Sequence, residues 1–386
     1  MGKIIQGKFN SAIVYREDLE QYTQVQIDMI CNNPIYENAE IALMPDTHPG
    51  KVGPIGLTMR IPYNKYTCIM PALIGNDIGC GISWAKIKLP KKQKRIDFDA
   101  LTKTIDETIA SAKSMNYMYG VSLKGVYGSD PDLNEADILD VMGYNCANAL
   151  GTLGEGNHFI ELDKHDDDLY IIVHSGSRGF GNYIYEKYMR LARENSPEGT
   201  PYELSFISGD TLESYLFAVE KAEAFAKVNR SLLISRICNA MKWDVISDTE
   251  YSIAHNTIFK HDDELILTKG ANCVKGNAHL CIPINSVEGC IIAHAKDDSD
   301  YIFTPHGSGR GVKKVEAANQ HTASEYKKLM TSNDVYCNDY KSTVNESPFV
   351  YRTYDDIKEY LQEVLDMDTV IQTKPIYNYK SVRGGK

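Results

Sequence analysis

The segment "ALIGNDIGCG", residues 72–81, places a carboxylate and a thiol three residues apart among glycines. Asp77 and Cys80 are the reactive pair, and Gly75, Gly79 and Gly81 surround them. Glycine costs backbone entropy and gives no side chain to a core. The composition of this segment therefore indicates a very tight turn, or a close approach of another group to the backbone.

Five of the ten histidines share a setting at the end of an apolar run or beside glycine. They are His48, His158, His174, His255 and His306. A strand that ends in such a loop can deliver its last side chain into a cleft. Imidazoles together with Asp77 and Cys80 would form a transition-metal site, because a thiolate disfavours magnesium and calcium. A thiolate can also bridge two ions, and paired ions suit phosphoryl chemistry. The residues alone leave a second interpretation open, in which Asp77 caps a turn and Cys80 is a buried core thiol.

His306 has a different neighbourhood from the other four histidines. It follows Pro305, precedes Gly307 and lies four residues before Arg310. A neutral imidazole can attack phosphorus and hold a nucleotide covalently, and a nearby arginine can stabilise phosphate charge. The sequence contains no Walker A motif and no G-x-G-x-x-G motif that opens a helix. Any nucleotide must therefore be bound by another kind of loop.

The elements that must position these side chains are short apolar runs and three clear helical patterns. Runs such as "IALMPD", "TCIMPALI", "GISWAKIKL", "HFIEL", "YIIVHS" and "YIFTPH" predict strands. Helical spacing occurs from Phe98 to Ile109, from Leu212 to about Trp243, and near 357–365. Strands and helices do not alternate strictly, which favours an α+β fold over a doubly wound sheet. No linker divides the chain, so we expect a single catalytic domain over residues 1–386.

The composition restricts the kinds of partner and compartment. The 386 residues carry a formal net charge of −11, which disfavours broad polyanion binding but permits a local basic pocket. No run of 18 or more apolar residues occurs, and no signal peptide is recognisable, so we expect a cytoplasmic protein without membrane partners. Nine cysteines without a C-x-x-C pair indicate free thiols and no zinc ribbon.

Several of these motifs, in their order along the chain, resemble those of the RtcB family of RNA ligases. The matching segments are "MPDTHPGKVGPIG", "GNDIGCG", "GTLGEGNHFIEL", "HSGSRGFGN", "TPHGSGR" and the closing "KPIYNYK". The resemblance covers nearly the whole chain. It implies an RtcB-like fold with mixed and antiparallel sheets, flanking helices and a metal site in a central cleft. It also implies joining of RNA 3′-phosphate or 2′,3′-cyclic phosphate ends to 5′-hydroxyl ends, with GTP and manganese, in RNA repair or tRNA splicing.

The same resemblance assigns roles to residues. Cys80 would bridge two manganese ions, with Asp77 and His158 on one ion and His174 and His255 on the other. His306 would become guanylylated. Contacts to the guanylate would come from residues of four segments, namely Asn157, Glu161, Pro283, Asn285, Glu288, His306, Gly307, Ser308, Gly309, Arg310 and Lys380. Lys386 is an alternative to Lys380, and Arg178 and Lys269 would contact the RNA.

Three segments depart from the family pattern near the nucleotide. The guanylate loop reads "IPINSVEGC", residues 282–290, with Val287 in place of a basic residue. Thr268 replaces an arginine in "LTKGA", and "VKKVEA" after Arg310 replaces a usual M-S-R. The metal ligands are intact, so these departures concern nucleotide affinity and base preference.

Two other functions remain open on sequence grounds. One is a metal-dependent phosphoesterase or nuclease that has lost guanylylation, and the other is a non-catalytic RNA-end binder. His306 beside Arg310 favours the ligase over the phosphoesterase, and the complete ligand set favours catalysis over binding alone. The sequence does not specify the RNA, an activating protein cofactor or the oligomeric state.

Overall fold

The structure is a computed structural model that describes residues 2–118, 149–311 and 320–381. Cys146, Lys386 and the segment "VKKVEA" lie outside the described residues. The helices within them are α1 (Gln21–Cys31), α2 (Phe98–Met118), α3 (Gly179–Asn195), α4 (Gly209–Met241), α5 (Ala323–Ser332) and α6 (Lys358–Val364). None of these helices is both long and apolar enough to cross a membrane.

Twenty strands accompany these helices in the described part of the chain. They are β1 (Lys3–Gln6), β2 (Ser11–Val14), β3 (Glu40–His48), β4 (Ile55–Pro62), β5 (Cys68–Ile69), β6 (Gly81–Lys88), β7 (Phe159–His165), β8 (Asp168–Ser175), β9 (Ile207–Ser208), β10 (Asp244–Val245), β11 (Tyr251–Ala254), β12 (Asn256–His261), β13 (Glu264–Lys269), β14 (Ala271–Lys275), β15 (His279–Asn285), β16 (Gly289–Ala295), β17 (Tyr301–Pro305), β18 (Tyr336–Cys337), β19 (Leu365–Gln372) and β20 (Lys374–Tyr379).

Two large sheets and three small ones contain these strands. One large sheet has the order β1-β2-β3-β4-β13-β12, and the other has the order β10-β6-β8-β7-β20-β18, with β11 also paired to β6. The pairing is mostly antiparallel, but β2 with β3 and β18 with β20 are parallel. The smaller sheets are β15-β16-β19, β14-β17 and β5-β9. This mixed architecture confirms the predicted α+β class.

The long helix α4 joins the two large sheets through a continuous apolar face. Its first half packs in the core of the first sheet through Leu212, Val219 and Phe225. Its second half packs against the second sheet through Leu233 and Ile237. The segment between the two halves passes behind the glycine-rich loop at 75–81, because Gly79 lies against Glu223 and Ala226.

One predicted strand is mostly wrong. The run "TCIMPALI" forms a strand only at Cys68–Ile69 and then turns into a short 3₁₀ helix, Pro71–Leu73. Pro71 has no N–H to donate to a sheet, and its fixed φ suits the first position of a helical turn. The other runs named above contribute to strands of the two large sheets and to β17.

The cysteines agree with the expectation of free thiols. The eight cysteines among the described residues are all unbridged, and six of them are buried. Within this part of the chain the fold is therefore held by its apolar cores and its hydrogen bonds.

Candidate metal centre and nucleotide cavity

The glycines of the opening segment are required by close backbone contacts. Gly75 and Gly79 have positive φ values of 86° and 71°, a conformation that L-residues rarely adopt. A Cβ at Gly79 would lie 2.8 Å from Glu223 Cα, and one at Gly81 would lie 2.1 Å from Ile253 O. The segment is therefore a tight turn pressed against helix α4 and strand β11, as its composition predicts.

The turn delivers Cys80 to a group of histidines from neighbouring strands. Cys80 immediately precedes β6, His158 precedes β7, and His174 lies near the end of β8, so the central strands of one sheet bring the three together. Cys80 Sγ lies 3.5 Å from His158 Nε2 and 3.2 Å from His174 Nε2. His255, between β11 and β12, joins through a 3.3 Å approach of its Nε2 to His174 Nε2.

Asp77 completes one side of this cluster. Its Oδ2 lies 3.1 Å from His158 Nε2, and its side chain is about 35% exposed, whereas the His158 side chain is only 4% exposed. Cys80 Sγ thus contacts His158, which in turn contacts Asp77, and it contacts His174, which in turn contacts His255. The structure brings together the five residues that the sequence suggested as metal ligands.

The histidine rings are oriented for metal coordination through Nε2. His158 Nδ1 lies 3.0 Å from Leu153 O, and His174 Nδ1 lies 3.1 Å from Asn157 O. A carbonyl oxygen only accepts, so each Nδ1 carries the proton and each Nε2 presents a lone pair to the centre. Backbone partners of this kind commonly fix the tautomer of metal-bound histidine. The thiol, carboxylate and imidazole donors therefore fit a transition-metal ion.

Burial and neighbouring charges shift the pKa values of the clustered side chains. Burial raises the pKa of the Cys80 thiol, and the neighbouring Asp77 charge raises it further. Burial lowers the pKa of both His174 and His255, and the adjacent histidines add to this effect. For Asp77, burial alone would raise the pKa, but the His158 imidazole lowers it below its usual range. A cation would favour the thiolate form of Cys80.

Arg230 on α4 stabilises the loops that hold the ligands. Its guanidinium is buried and donates to Gly79 O and Ser175 O at 2.9 Å each. It also donates to Ser83 and Ser252 on the paired strands β6 and β11. One side chain therefore fixes the turn before β6 to the end of β8. Sequence reasoning missed Arg230, because no local motif connects it with the distant residues to which it donates.

His306 lies beside the metal-ligand cluster, and its imidazole is held by a buried carboxylate. Its ring centroid is 4.8 Å from that of His255. His306 Nδ1 is 2.6 Å from Asp46 Oδ2, and Asp46 is fully buried at the end of β3. The carboxylate accepts from Nδ1, which leaves the Nε2 lone pair available. Sequence reasoning missed Asp46, although it belongs to the quoted "MPDTHPG" motif.

A cavity that is open to solvent, about 680 Å³ with its open mouth included, lies next to His306 and the Cys80 cluster. Ten of the residues predicted to contact the nucleotide line it, namely Asn157, Glu161, Pro283, Asn285, His306, Gly307, Ser308, Gly309, Arg310 and Lys380. Sequence reasoning did not assign nucleotide contacts to His48, Phe159, Glu346, Tyr351 or Asn378, which also line it. Burial lowers the pKa of His48 to about 3, so its imidazole is neutral near pH 7.

Glu288 is the one predicted nucleotide residue that does not line the cavity. Its Oε1 accepts from Asn285 Nδ2 at 2.9 Å, and its Oε2 accepts from the Tyr354 N–H at 2.9 Å. Both oxygens are thus committed to the chain itself. The side chain fixes the guanylate loop to the segment before α6, instead of facing a ligand.

Arg310 and Lys380 line the cavity with their charges already balanced. Arg310 forms an ion pair with Glu346 and donates to Tyr351 Oη at 3.1 Å. Lys380 Nζ lies 5.4 Å from the ring centroid of Phe159, between the charges of Glu346 and Glu161. These buried carboxylates keep the pocket from being strongly basic.

The two residues predicted to contact RNA lie in different settings. Arg178 has φ 60°, begins α3, and donates to Thr152 Oγ1 at 3.3 Å. Its guanidinium is close enough to Asp77 and Cys80 to interact with their charges. Lys269, by contrast, is only 5% exposed and donates to Val52 O at 2.6 Å. Arg178 therefore lies beside the metal-ligand cluster, whereas Lys269 is directed into the protein.

Two departures from the family pattern are explained by packing. Val287 contacts an apolar cluster that includes Tyr326 and Met330 of α5. Thr268 is fully buried in β13, where it pairs with Thr58 and Thr257 on either side. Neither residue lines the cavity. A basic side chain at either position would lose solvation in these surroundings.

Comparisons with known proteins agree with this geometry. The chain matches the family model described as "tRNA-splicing ligase RtcB" over residues 26–381. It is 25% identical to "RNA-splicing ligase RtcB2" of Escherichia coli strain ATCC 25922, with all of both chains covered. It is 26% identical to "RNA-splicing ligase RtcB" of Escherichia coli K12, covering 82% of this chain and 84% of that one. It is 22% identical to "tRNA-splicing ligase RtcB" of Thermococcus kodakarensis, covering 86% of each.

Proposed function

This chain belongs to the RtcB family, and from that premise we propose that it is a GTP- and manganese-dependent RNA ligase. Its substrates are RNA ends, one with a 3′-phosphate or 2′,3′-cyclic phosphate and one with a 5′-hydroxyl. The observation that carries the proposal is the His306–Asp46 pair beside the Asp77–Cys80–His158–His174–His255 cluster. A nucleophile for phosphorus and a set of metal ligands thus share one cleft.

The metal ions would be held by the five clustered side chains. Asp77, Cys80 and His158 would bind one ion, and Cys80, His174 and His255 the other. Bound manganese would neutralise phosphate charge and lower the pKa of a bound hydroxyl or water. Arg178 is close enough to this centre to contact a terminal RNA phosphate, a contact that arginine makes well because of its planar fork of donors.

His306 supplies the covalent step. Asp46 holds the Nδ1 proton, so Nε2 attacks the α-phosphorus of GTP, a P–N bond forms, and pyrophosphate leaves. An oxygen of the RNA 3′-phosphate then takes the guanylyl group and releases His306. The 5′-hydroxyl finally attacks the activated 3′-phosphorus, loses its proton, and expels GMP. A cyclic phosphate must first be opened by water to give the 3′-phosphate.

The cavity residues support a nucleotide at this position. The Asn157 side chain and the N–H groups of Gly307 and Gly309 would donate to the guanylate phosphate, whereas the Ser308 N–H already donates to Pro283 O. Glu161 and Lys380 also line this cavity. Phe159 lines the same cavity, and its aromatic face suits a base. We assign Glu288 and Lys269 to holding the loops instead of contacting ligands.

A labelling experiment tests the nucleophile. The protein is incubated with manganese and α-³²P-labelled GTP, and acid-labile protein-bound label is measured. We expect label on the wild type and on His261→Ala, a histidine at the far end of β12, but none on His306→Ala. Label retained by His306→Ala would remove that residue from the covalent role. Opening of a cyclic phosphate without any adduct in the wild type would identify a phosphoesterase instead.

A further inference from the structure

Two buried carboxyl groups lie side by side behind one wall of the cavity. Glu161 and Asp163 are two residues apart on β7, so their side chains project from the same face of the strand. Glu161 is 3% exposed and Asp163 is fully buried. Their carboxyl oxygens and Cys290 Sγ lie within 4.8 Å of one another. Only Glu161 lines the cavity, so Asp163 lies behind it.

The surrounding donors hold both oxygens of Glu161, Oε1 only through the weak Cys290 S–H donor, and one oxygen of Asp163. Asn378 Nδ2 donates to Glu161 Oε2 at 2.5 Å, and Thr373 Oγ1 donates to Asp163 Oδ2. Cys290 Sγ lies 3.9 Å from Glu161 Oε1. Asp163 Oδ1 is buried and meets no N–H or O–H donor among the residues that the structure describes. It is therefore available to bond with the neighbouring carboxyl group.

The charge balance around the pair requires a proton. The titratable groups facing it are Lys380 from the end of β20 and the thiols Cys290 and Cys281 from the small sheet. Among the residues that the structure describes, Lys380 is thus the cation that faces these two carboxyl groups, and it is shared with Glu346. Burial raises the pKa of Asp163 to about 6 and raises that of Glu161 well above its usual range, with Asp163 adding to the effect on Glu161. Two adjacent buried carboxylates do not ionise together, so the pair holds one proton near pH 7.

We propose that Asp163 is a specificity-determining positioning residue, which accepts the shared proton and donates it as a hydrogen bond to an ionised Glu161 when guanine occupies the cavity. The proton moves from a Glu161 oxygen to Asp163 Oδ1, and none is gained or lost. Ionised Glu161 then accepts from the N1–H and N2–H groups of guanine. Adenine has no N–H at the corresponding positions, and a site with an unpaired acceptor rejects it. This inference rests on the proposed function.

Two substitutions separate a protonated Asp163 from an ionised one. In Asp163→Asn, the amide oxygen can accept from Thr373 and the NH₂ can donate to Glu161, so it imitates the protonated acid. In Asp163→Leu, the shape is similar but no donor remains. The readout is the ratio of the second-order rate constants for protein labelling by α-labelled GTP and ATP. Because both nucleotides use the same metal centre and His306, the titration of those groups cancels in this ratio.

We expect Asp163→Asn to keep the GTP/ATP ratio within about threefold of the wild type, and Asp163→Leu to lower it at least tenfold. The control Asp168→Asn, which removes an exposed partner of Lys86, should leave the ratio unchanged. A ratio lost equally in the Asn and Leu variants would overturn the proposal, since Asp163 would then act as a carboxylate or through packing. An unchanged ratio in the Leu variant would also overturn it.

The wild type provides a second test that does not depend on folding of a variant. Below about pH 6 a second proton neutralises the pair, so the GTP/ATP ratio should fall by about tenfold between pH 7 and pH 5. A ratio that stays constant over this range contradicts the shared proton. If the wild type forms no adduct with either nucleotide, the proposed function itself fails, and that result is distinct from an adduct without pH-dependent selectivity.

Discussion

The orientation of the His306 imidazole depends on one buried carboxylate. Asp46 is fully buried, and its Oδ2 holds His306 Nδ1 at 2.6 Å, while Arg352 donates to the backbone oxygens of Asp46 and Thr47. The backbone of Arg352 is also held in place, because its N–H donates to Gly309 O at 3.0 Å. The strand that bears the carboxylate and the loop that bears the imidazole are therefore tied together.

Replacing Asp46 by Asn should slow guanylylation without removing metal. The amide can donate to Nδ1 and so stabilise the wrong tautomer, in which Nε2 carries the proton and cannot attack. We expect the rate of adduct formation to fall on the order of 10²–10⁴-fold, as when a histidine loses its orienting carboxylate in other enzymes. Bound manganese, measured by elemental analysis, should stay at the wild-type level. An unchanged labelling rate would show that Asp46 does not set the tautomer.

The residues that converge around Cys80 could be predicted from local sequence, but their orienting partners could not. Cys80, Asp77 and three histidines stand out because a thiol, a carboxylate and imidazoles together form a donor set that suits transition metals. Asp46 is an ordinary acid in a motif, and its partner lies 260 residues later. The contact between Glu161 and Asp163 could not be predicted either. The groups that donate to these carboxyl groups come from β16, from β20 and from Thr373 between β19 and β20.

At the scale of elements, Arg230 connects helix α4 to the two ligand-bearing strands. Substitution Arg230→Met would leave Gly79 O and Ser175 O buried without their donor. Each such loss costs about 1–3 kcal/mol, so we expect the free energy of unfolding in urea to fall by about 4 kcal/mol. Arg236→Met is the matched control on the same helix, because Arg236 Nη1 is buried without a hydrogen-bond partner among the described residues. The control should change stability by less than about 1 kcal/mol, and equal losses in both variants would contradict this role.

Lys269 makes the stability of the first sheet dependent on pH. Burial lowers its pKa to about 8, with Lys51 adding to the effect. Between about pH 8 and 10.4 the unfolded chain holds this proton more tightly than the folded protein does, so stability rises with pH across that window. Buried thiols such as Cys31 and Cys238 titrate in the same window with the opposite sign, so Lys269 is isolated by comparing two variants. The unfolding free energy of Lys164→Met, which changes an exposed residue of β7, minus that of Lys269→Met should rise by about 3 kcal/mol across the window. Parallel curves of unfolding free energy against pH would show that Lys269 keeps its ordinary pKa.

Helices whose apolar residues recur with helical spacing could be predicted, whereas the conformation of short elements depends on contacts with the rest of the chain. Helix α4 follows from the spacing of Leu212, Val219 and Phe225, because one continuous stripe must be buried. The run around Pro71 has a strand-like composition, yet proline removes a donor and begins a helical turn instead. The sequence also did not determine which side chains of the guanylate loop line the cavity. Asn285 lines it, whereas Glu288 accepts a hydrogen bond from Asn285 and does not.

At the scale of the whole molecule, the proposed metal ligands come from separate parts of the chain. They come from positions 77 to 255 and lie where the second large sheet meets β12 of the first. Manganese that binds only the folded form at 100 times its dissociation constant should raise the free energy of unfolding by about 2.7 kcal/mol. Differential scanning calorimetry with and without manganese measures this gain. It should be absent in Cys80→Ser and retained in Cys68→Ser, and a gain of equal size in both variants would exclude Cys80 as a ligand.

The fold class could be predicted because mixed short strands and isolated helices favour α+β packing. The order of strands within each sheet could not, because β4 pairs with β13 and β7 pairs with β20 across some 200 residues. Nothing local to "HFIEL" or "KPIYNYK" specifies that they are neighbours. That pairing nonetheless places Glu161 and Lys380 in one cavity wall.

The pairing of β7 with β20 also determines how late in folding the nucleotide cavity is completed. Contacts between residues so far apart in sequence carry a high loop-closure cost, and chains dominated by them fold slowly. Helix α4 and the hairpin of β7 and β8 are local and can form early. A refolding sample should therefore regain its helical circular dichroism first and bind nucleotide only in a later kinetic phase, after the last strand has joined the sheet.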